Sequence, residues 1–279
     1  MTPWAISAAD YQFLGGFLRE QIGYELGGGK EYLVESRLQP IAASFGLDQI
    51  GTLVERLRLP GERALRDAVI EAMVTHETTF FRTGRTFENF RSVIVPALRA
   101  ARSATRQLRI WCAGCATGQE PYSVAMTLSD HFADLSNWRV DILATDVSDR
   151  ILEQARAGVY NQFEVQRGLS VQSLLKHFRQ VGGQWQIADE IRRRVGFRKF
   201  NLLDSFHAID SPYDVIFLCN VLIYFDSASK NSVFTKLRQT IAPDGYLVLG
   251  ESETVLGLTD QFRMSEEGAG FFRPAADRR

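Results

Sequence analysis

Residues 111–123 read WCAGCATGQEPYS and point to the class of fold. The residues around Trp111 form a short apolar run typical of a β-strand, and the residues after Pro121 show helical spacing. Small residues lie between them, and Gly114 and Gly118 can adopt positive φ angles and let a ligand approach the backbone closely. A strand, a small-residue loop and a helix entered at Pro121 form the arrangement with which α/β folds present backbone to a nucleotide.

The alternation of strands and helices continues towards the C-terminus. WRVDILATD (138–146) predicts a strand, and SDRILEQARAG (148–158) predicts a helix with Ser148 as its cap. A further strand is predicted at SPYDVIFLCN, followed by a helix that ends at Gly245 and the strand YLVLGES. This order predicts an α/β fold with a mainly parallel, doubly wound sheet and helices on both faces.

The first part of the chain shows helical spacing only. YQFLGGFLREQIG (11–23), with Ser7 or Asp10 as its cap, and EYLVESRLQPIAASFG (31–46) predict two helices separated by GGGK. We therefore expect an all-α N-terminal domain at 1–74. A linker at 75–84 then leads into an α/β domain at 85–279.

One segment interrupts the alternation of strands and helices. FRQV and QWQI flank Gly182 and Gly183, a pair typical of a β-hairpin turn. We expect a small antiparallel β-subdomain inserted at about residues 160–198, and insertions of this kind often serve recognition. The basic run IRRRVGFRK (191–199) is most simply interpreted as a solvated strand face.

The composition is that of a soluble globular protein with a sizeable core. The 279 residues are 45% hydrophobic and 23% charged, and the net charge of −1 favours neither nucleic acid nor a membrane surface. No apolar run approaches the roughly 18 residues of a transmembrane helix, and MTPWAISAADYQF does not resemble a signal peptide. Three cysteines argue for a reducing compartment, so we expect a cytoplasmic protein.

The Cys112-x-x-Cys115 motif has three interpretations. A zinc site needs about four ligands, and the other candidates are scattered along the chain, so no metal is expected. A thioredoxin-like pair normally opens a helix, whereas Cys112 lies at the end of an apparent strand. Two small buried side chains beside a tight loop are the favoured interpretation.

Two carboxylates indicate the kind of ligand. Glu120 at the helix start would repel a pyrophosphate and attract a cationic cofactor, but it could equally complement the helix dipole. Asp146 ends the next strand, where an acidic side chain can accept hydrogen bonds from both ribose hydroxyls. Asp146 could also merely cap the following helix, although Ser148 is available for that role. With no phosphate-binding signature, the pair favours S-adenosylmethionine over NAD or ATP.

The sequence resembles the CheR family of chemotaxis receptor glutamate methyltransferases over nearly its whole length. The motifs that carry the resemblance are THETTFFR (75–82), WCAGCATGQEPYS, ATDVSDRILEQARAGVY, KFNLLD, YDVIFLCNVLIYFD (213–226) and GYLVLGESE (245–253). The resemblance implies a helical N-terminal domain, an S-adenosylmethionine-binding α/β domain and an inserted β-subdomain. It also implies that the protein methylates glutamate side chains of chemoreceptor cytoplasmic domains in sensory adaptation.

The resemblance also implies roles for residues on the first half of the site. Thr78 and Arg82 would close over the methionine end of the cofactor, with His76 standing where many members have Asn. Gly114 and Glu120 would hold the methionine moiety.

The remaining cofactor residues follow from later motifs. Asp146 would bind the ribose, while Asn201 and Leu202 would flank the adenine. Cys219 and Asn220 would line the site, and since many members have Arg at Cys219, only a backbone or packing contact is expected there.

The resemblance places Tyr224 near the transferable methyl group. We assign Arg82 and Tyr224 to positioning the acceptor carboxylate, although without the resemblance Tyr224 would be interpreted as a half-buried residue at a sheet edge. A glutamate with a pKa of about 4.3 is already ionised at neutral pH, so no general base is needed.

The expected partner is a chemoreceptor cytoplasmic domain, with the β-subdomain as a candidate site for the receptor's C-terminal tail, and a monomer is expected. One alternative is an S-adenosylmethionine-dependent methyltransferase of a small molecule or another signalling protein. Another is a non-catalytic module that docks receptors.

Overall fold

The computed structural model describes residues 4–268 and 270–276. The chain forms two compact units, of which the first is helical and contains the residues up to Thr75 together with Tyr224–Ser229. The second is an α/β unit that contains His76–Ile223 and the residues from Lys230 onward. Within the described ranges, no helix combines the length and the hydropathy that crossing a membrane requires.

The helices, in chain order, are α1 Ala8–Ile22, α2 Glu31–Ser44, α3 Ile50–Leu57, α4 Arg63–Met73, α5 Gly84–Asn89, α6 Val95–Ala101, α7 Gln119–His131, α8 Asp149–Ala157, α9 Gln162–Gln166, α10 Val171–His177, α11 Asp189–Arg192 and α12 Ser227–Thr240. The strands are β1 Gln107–Ala113, β2 Arg139–Asp146, β3 Val159–Tyr160, β4 Phe178–Val181, β5 Gln184–Ile187, β6 Val195–Lys199, β7 Tyr213–Leu218, β8 Ile241–Leu249, β9 Phe262–Met264 and β10 Phe271–Pro274. A π-helical turn joins α5 to α6.

The helical unit is built on α1 to α4. Ser7 caps α1 by accepting the Asp10 N–H at 3.1 Å, so Ser7 and not Asp10 is the cap. Gly23 ends the helix in the left-handed conformation, with φ of 70°. The fully buried side chains of this unit include Leu14, Leu18, Val34, Leu38, Leu53, Val54, Leu57, Leu65, Val69 and Met73.

The α/β unit contains a seven-stranded sheet in the order β6-β2-β1-β7-β8-β10-β9. The first five strands pair in parallel, and β10 and β9 add an antiparallel edge. This architecture confirms the predicted doubly wound α/β fold. β1 and β2 lie inside the sheet, and the residues towards the ends of both strands are mostly buried. Because the two strands are parallel, the loops that follow them meet at one edge of the sheet.

The helix before β8 is shorter than predicted. α12 ends at Thr240 and not at Gly245, because Ile241 already pairs with Tyr213 as part of β8. Pro243 lies in the segment predicted as the end of the helix, and proline lacks the N–H that a helix interior requires.

The inserted subdomain is a three-stranded antiparallel sheet in the order β3-β5-β4. Gly182 and Gly183 form the β4–β5 turn with φ of 53° and 82°, as the sequence predicts. The strand assignment of the basic run 191–199 is partly wrong, because its first residues belong to α11 and the turn after it. Val195–Lys199 is a strand of the main sheet, parallel to β2, so the predicted bound of about 198 reaches beyond the insertion.

The insertion packs against the motif THETTFFR through aromatic rings. Phe80 is fully buried and contacts Tyr160 and Phe178 edge-on, at centroid distances of 5.0 and 5.4 Å. Gly168, with φ of 95°, lies so close to Phe80 that an added Cβ would overlap the Phe80 carbonyl.

We predict that Gly168→Ala lowers the free energy of unfolding by about 1–3 kcal/mol more than Gly257→Ala, because the new methyl group overlaps a backbone carbonyl that cannot move away. Gly257 is the matched control, since its φ of 74° also lies in the left-handed region and no atom lies within 4 Å of the added Cβ. Urea denaturation measures both variants. Equal losses would contradict the close approach to Phe80.

Candidate functional site

The candidate site lies at the carboxyl ends of the parallel strands. β6, β2, β1 and β7 are neighbours in the sheet, so the residues that follow them meet at one edge. Those residues include Gly114 after β1, Asp146 at the end of β2, Asn201 after β6, and Asn220 after β7. In open α/β sheets ligands bind outside this edge.

The loop after β1 is held by the end of β2. Gly114, with φ of 77°, and Cys115 both donate their N–H groups to the Thr145 carbonyl, at 2.8 and 2.9 Å. An added Cβ at Gly114 would overlap Val221, so only glycine fits there. Gly118 precedes α7, which begins at Gln119, two residues before the entry at Pro121 predicted from the sequence.

The cysteines of the loop are buried thiols. Cys112 and Cys115 are free and at most 1% exposed. Across residues 4–268 and 270–276, no cluster of three or more His, Cys, Asp or Glu side chains has the arrangement of a metal site. The Cys112 thiol instead contacts the carboxylate of Glu120.

Glu120 lies in the first turn of α7 and is partly buried. Burial raises its pKa to about 7, against the effect of the Cys219 and Cys112 thiols, which donate hydrogen bonds to it. The negative charge of Glu253 raises the pKa further, and the positive charge of Arg82 lowers it. A cation bound beside this carboxylate would stabilise the ionised form.

Asp146 is buried at the end of β2. Its Oδ2 accepts the Ala116 N–H at 3.0 Å, and its Oδ1 accepts the Ser148 N–H at 3.2 Å. Ser148 caps α8 by accepting the Ile151 N–H, so Asp146 does not serve as the cap. Each carboxylate oxygen therefore keeps a lone pair for a hydroxyl donor.

His76 faces the same carboxylate. Its Nε2 lies 3.6 Å from Asp146 Oδ1, within ion-pair distance but beyond hydrogen-bond distance, and is buried without a hydrogen-bond partner. A buried polar atom without a partner is unusual, and a ligand hydroxyl between His76 and Asp146 would satisfy it.

The motif THETTFFR is tied to α7. Phe81 has a positive φ of 47° and donates its N–H to Ser123 Oγ at 2.9 Å, and Thr83 also has a positive φ, of 64°. Left-handed non-glycine residues of this kind are strained and concentrate at functional sites. Between them lies Arg82, which is exposed and donates to the Glu77 carbonyl at 2.9 Å, while Thr78 is partly buried.

The residues after β6 line the next part of the edge. Phe200 donates its N–H to the Asp146 carbonyl at 2.9 Å, which fixes the start of this loop. Asn201 Oδ1 accepts the Leu203 N–H at 3.0 Å, and Leu202 is buried. The two residues predicted to flank an adenine thus lie directly beside the ribose-binding candidate along the sheet.

The residues after β7 form a tight turn. Cys219 is partly buried, and its Sγ lies 3.7 Å from the Val248 carbonyl. Asn220 has a left-handed φ of 60°, a conformation that asparagine tolerates better than most residues.

Tyr224 belongs to the segment that packs within the helical unit. Its ring stacks on Tyr24 at a centroid distance of 5.8 Å, and its carbonyl accepts the Glu25 N–H at 2.7 Å. The side chain is partly buried in that unit.

Sequence reasoning missed Glu253. Its carboxylate accepts backbone N–H groups from Asn220, Val221, Ile223 and Gly250. The available signal was an acidic residue shortly after β8 in the motif GYLVLGESE, but nothing in the local sequence reveals that three of its four partners lie 30 to 33 residues earlier.

The polar groups at this edge of the sheet fit S-adenosylmethionine. Glu120 is a carboxylate suited to an ammonium group, and Asp146 offers two acceptors suited to ribose hydroxyls. The Nε2 of His76, which has no hydrogen-bond partner, lies 3.6 Å from Asp146 Oδ1.

Comparison with known proteins identifies close relatives over both units. The family model of the CheR methyltransferase SAM binding domain matches residues 76–271, and that of the CheR methyltransferase all-alpha domain matches residues 9–74. The chain is 36% identical over 271 residues to chemotaxis protein methyltransferase Cher2 of Pseudomonas putida, covering 95% of this chain and 98% of the relative.

Two further relatives are similar over the same length. The chemotaxis protein methyltransferase of Vibrio parahaemolyticus is 39% identical over 267 residues, covering 95% of this chain and 96% of the relative. Chemotaxis protein methyltransferase 1 of Pseudomonas aeruginosa is 39% identical over 267 residues, covering 94% and 96%.

We predict that the affinity for S-adenosylhomocysteine falls as the pH drops below about 7. Burial raises the pKa of Glu120 to about 7, so the free protein carries a proton there at lower pH, and the ligand ammonium must displace it. The dissociation constant should rise by up to about tenfold per pH unit below the pKa and stay level above it.

Isothermal titration calorimetry between about pH 6 and about pH 8 measures this dependence. Glu120→Gln should bind more weakly and lose the pH dependence, whereas the exposed Glu251→Gln should behave as the unchanged protein. An equal pH dependence in Glu120→Gln would assign the titration to another group.

Proposed function

The chain belongs to the CheR methyltransferase family, and on this premise we propose that it methylates glutamate side chains of chemoreceptor cytoplasmic domains. The observation that carries the proposal is the pair of carboxylates at the sheet edge, Glu120 and Asp146, within a chain whose relatives are named chemotaxis methyltransferases. The product is a glutamate methyl ester.

S-adenosylmethionine is the methyl donor, and when bound it supplies an electrophilic methyl group on a sulfonium. We assign Glu120 and the Gly114 backbone to the methionine moiety, and Asp146 to the ribose hydroxyls. His76 completes the polar surface beside Asp146, which is supported by its buried, unpartnered Nε2.

The outer parts of the cofactor site follow from neighbouring strands. We assign Asn201 and Leu202 to the adenine, and Cys219 and Asn220 to the wall formed after β7. Thr78 and Arg82 close the methionine end, in a segment whose strained backbone is held by the bond from Phe81 to Ser123.

No residue needs to remove a proton from the acceptor. The free glutamate pKa of about 4.3 leaves the acceptor carboxylate ionised at neutral pH. The protein's contribution is therefore to orient the carboxylate and to exclude water, and correct orientation contributes up to roughly 7–11 kcal/mol to such reactions.

Arg82 and Tyr224 are the residues assigned to the acceptor carboxylate. The exposed Arg82 guanidinium has donors for a carboxylate oxygen beyond the one bond it makes to the Glu77 carbonyl. The Tyr224 hydroxyl can donate a second hydrogen bond.

The recognition of a protein substrate is assigned to the parts outside the cofactor edge. We propose a helical domain at 1–74, a linker at 75–84 and a methyltransferase domain at 85–279. The inserted β-subdomain is proposed to dock a receptor tail, and the protein to act in the cytoplasm as a monomer.

The test of this function uses methyl-labelled S-adenosylmethionine and a chemoreceptor cytoplasmic fragment. Label that mild base releases as volatile methanol is expected, because carboxyl methyl esters hydrolyse readily. Binding of S-adenosylhomocysteine without any base-labile label would exclude the receptor fragment as the acceptor and favour another substrate or a docking role.

We predict that Arg82→Ala and Tyr224→Phe each lower kcat by about 10- to 100-fold, because a misplaced acceptor loses the orientation on which the transfer depends. Affinity for S-adenosylhomocysteine should change little in Tyr224→Phe. The kcat of methyl transfer at saturating cofactor measures the first effect, and calorimetric titration with S-adenosylhomocysteine measures the second.

The matched controls are Arg85→Ala and Tyr32→Phe. Arg85 is an exposed arginine three residues from Arg82, and Tyr32 is an exposed tyrosine of the helical unit. Full turnover in both test variants would remove Arg82 and Tyr224 from the assignment.

A further inference from the structure

The turn after β7 is held by a single carboxylate. Glu253 Oε2 accepts the Asn220 N–H at 2.5 Å and the Gly250 N–H at 2.8 Å. Its Oε1 accepts the Val221 N–H at 3.1 Å and the Ile223 N–H at 3.3 Å. We call residues 220–223 the Asn220 turn.

Glu253 thereby connects the ends of two neighbouring strands. Leu218 at the end of β7 pairs with Leu249 at the end of β8, and Gly250 follows immediately. The Glu253 N–H donates to the Gly250 carbonyl at 2.9 Å, so the chain after β8 turns back and directs the Glu253 side chain to the neighbouring loop.

The surroundings leave little freedom for this arrangement. A Cβ at Gly250 would lie 2.8 Å from Glu253 Oε2 and 2.9 Å from the Asn220 side-chain nitrogen. Both groups therefore pack directly on the Gly250 backbone, and the left-handed Asn220 has its N–H directed at the carboxylate.

A structural role alone would not require a carboxylate so close to the site. Glu253 is near enough to Glu120 for its negative charge to raise the Glu120 pKa, although burial also raises the pKa of Glu253 itself. A second partly buried carboxylate beside Glu120 is unfavourable unless hydrogen bonds compensate for the repulsion and the lost hydration.

We propose that Glu253 is a positioning residue of the cofactor site, which holds the Asn220 turn in its binding geometry through four backbone hydrogen bonds. The inference rests on the proposed function for the role of Asn220 at the cofactor. The proposal gives Glu253 an indirect role, in which it acts on the cofactor through the Asn220 turn.

The chemistry of the side chain makes the proposal specific. Each carboxylate oxygen accepts two N–H groups, and a carboxylate has enough lone pairs for all four. The amide of glutamine has one acceptor oxygen, and its NH₂ group would face the other pair of N–H donors. Glu253→Gln preserves the size of the side chain and disrupts at least one pair of hydrogen bonds.

The first readout is amide hydrogen exchange followed by mass spectrometry. In Glu253→Gln, peptides that cover the Asn220 turn should exchange faster, while peptides of strand β1 should exchange as before. Glu251→Gln is the matched control, because it removes the same charge from an exposed residue two positions away. Unchanged exchange in the turn of a folded Glu253→Gln protein would overturn the proposal.

The second readout is the affinity for S-adenosylhomocysteine, measured by calorimetry. We expect Glu253→Gln to bind about 10- to 100-fold more weakly, since hydrogen bonds to charged groups contribute on this scale. The Glu251→Gln variant should bind normally. A loosened turn with unchanged affinity would also overturn the proposal, because the turn geometry would then be irrelevant to the cofactor.

If the Glu253→Gln protein does not fold, Glu253→Asp is the variant to measure in its place. It keeps the charge and shortens the side chain by one methylene, so it cannot reach both pairs of donors, and the same two changes are expected. Wild-type exchange and affinity in this variant would overturn the proposal. So would a global loss of structure in both variants, since Glu253 would then stabilise the whole α/β unit.

Neither readout requires a methyl acceptor. If the receptor fragment proves not to be the substrate, methyl transfer fails with the unchanged protein, whereas the hydrogen exchange and cofactor affinity of Glu253→Gln still give their results. Failure of the proposed function and failure of this inference are therefore distinguishable.

Discussion

The candidate site depends on the hydrogen bonds that join the end of β2 to the loop after β1. The Thr145 carbonyl accepts the N–H groups of Gly114 and Cys115, and the Asp146 carboxylate accepts the N–H of Ala116. Together they set the conformation of the loop from which α7 begins and hence the location of Glu120. These bonds form only because β1 and β2 are parallel neighbours that end at the same edge.

Three carboxylates near this edge have different tasks because their surroundings differ. Asp146 receives one backbone N–H on each oxygen and keeps capacity for a ligand. Glu120 receives hydrogen bonds from two thiols, which are weak donors, so burial raises its pKa to about 7 and a bound cation would favour the ionised form. Glu253 accepts four backbone N–H groups, so its oxygens are used to hold the Asn220 turn.

Several features of the fold were predictable from local sequence. The hairpin at Gly182 and Gly183 follows from the turn chemistry of glycine, and the cap at Ser148 follows from its position before an amphipathic helix. The predicted C-terminal end of α12 was wrong by five residues, because Ile241 pairs with Tyr213 in the sheet and leaves the helix. The local sequence does not show that pairing. The strand Val195–Lys199 was assigned to the insertion for the same reason, since its partner β2 lies some 50 residues earlier.

The sequence by itself determined the order of strands and helices and the family resemblance. It also placed Asp146 at the end of one strand, Asn220 just after another and Glu120 at the start of the helix that follows a third, and the ends of parallel strands must meet at one edge. The tertiary structure alone decided how the polar groups are used. It brought the Glu253 carboxylate to the Asn220 turn, left His76 Nε2 without a hydrogen-bond partner beside Asp146, and directed two thiols at the Glu120 carboxylate. Hydrogen bonds and desolvation depend on neighbours that are distant in sequence, so no local pattern encodes them.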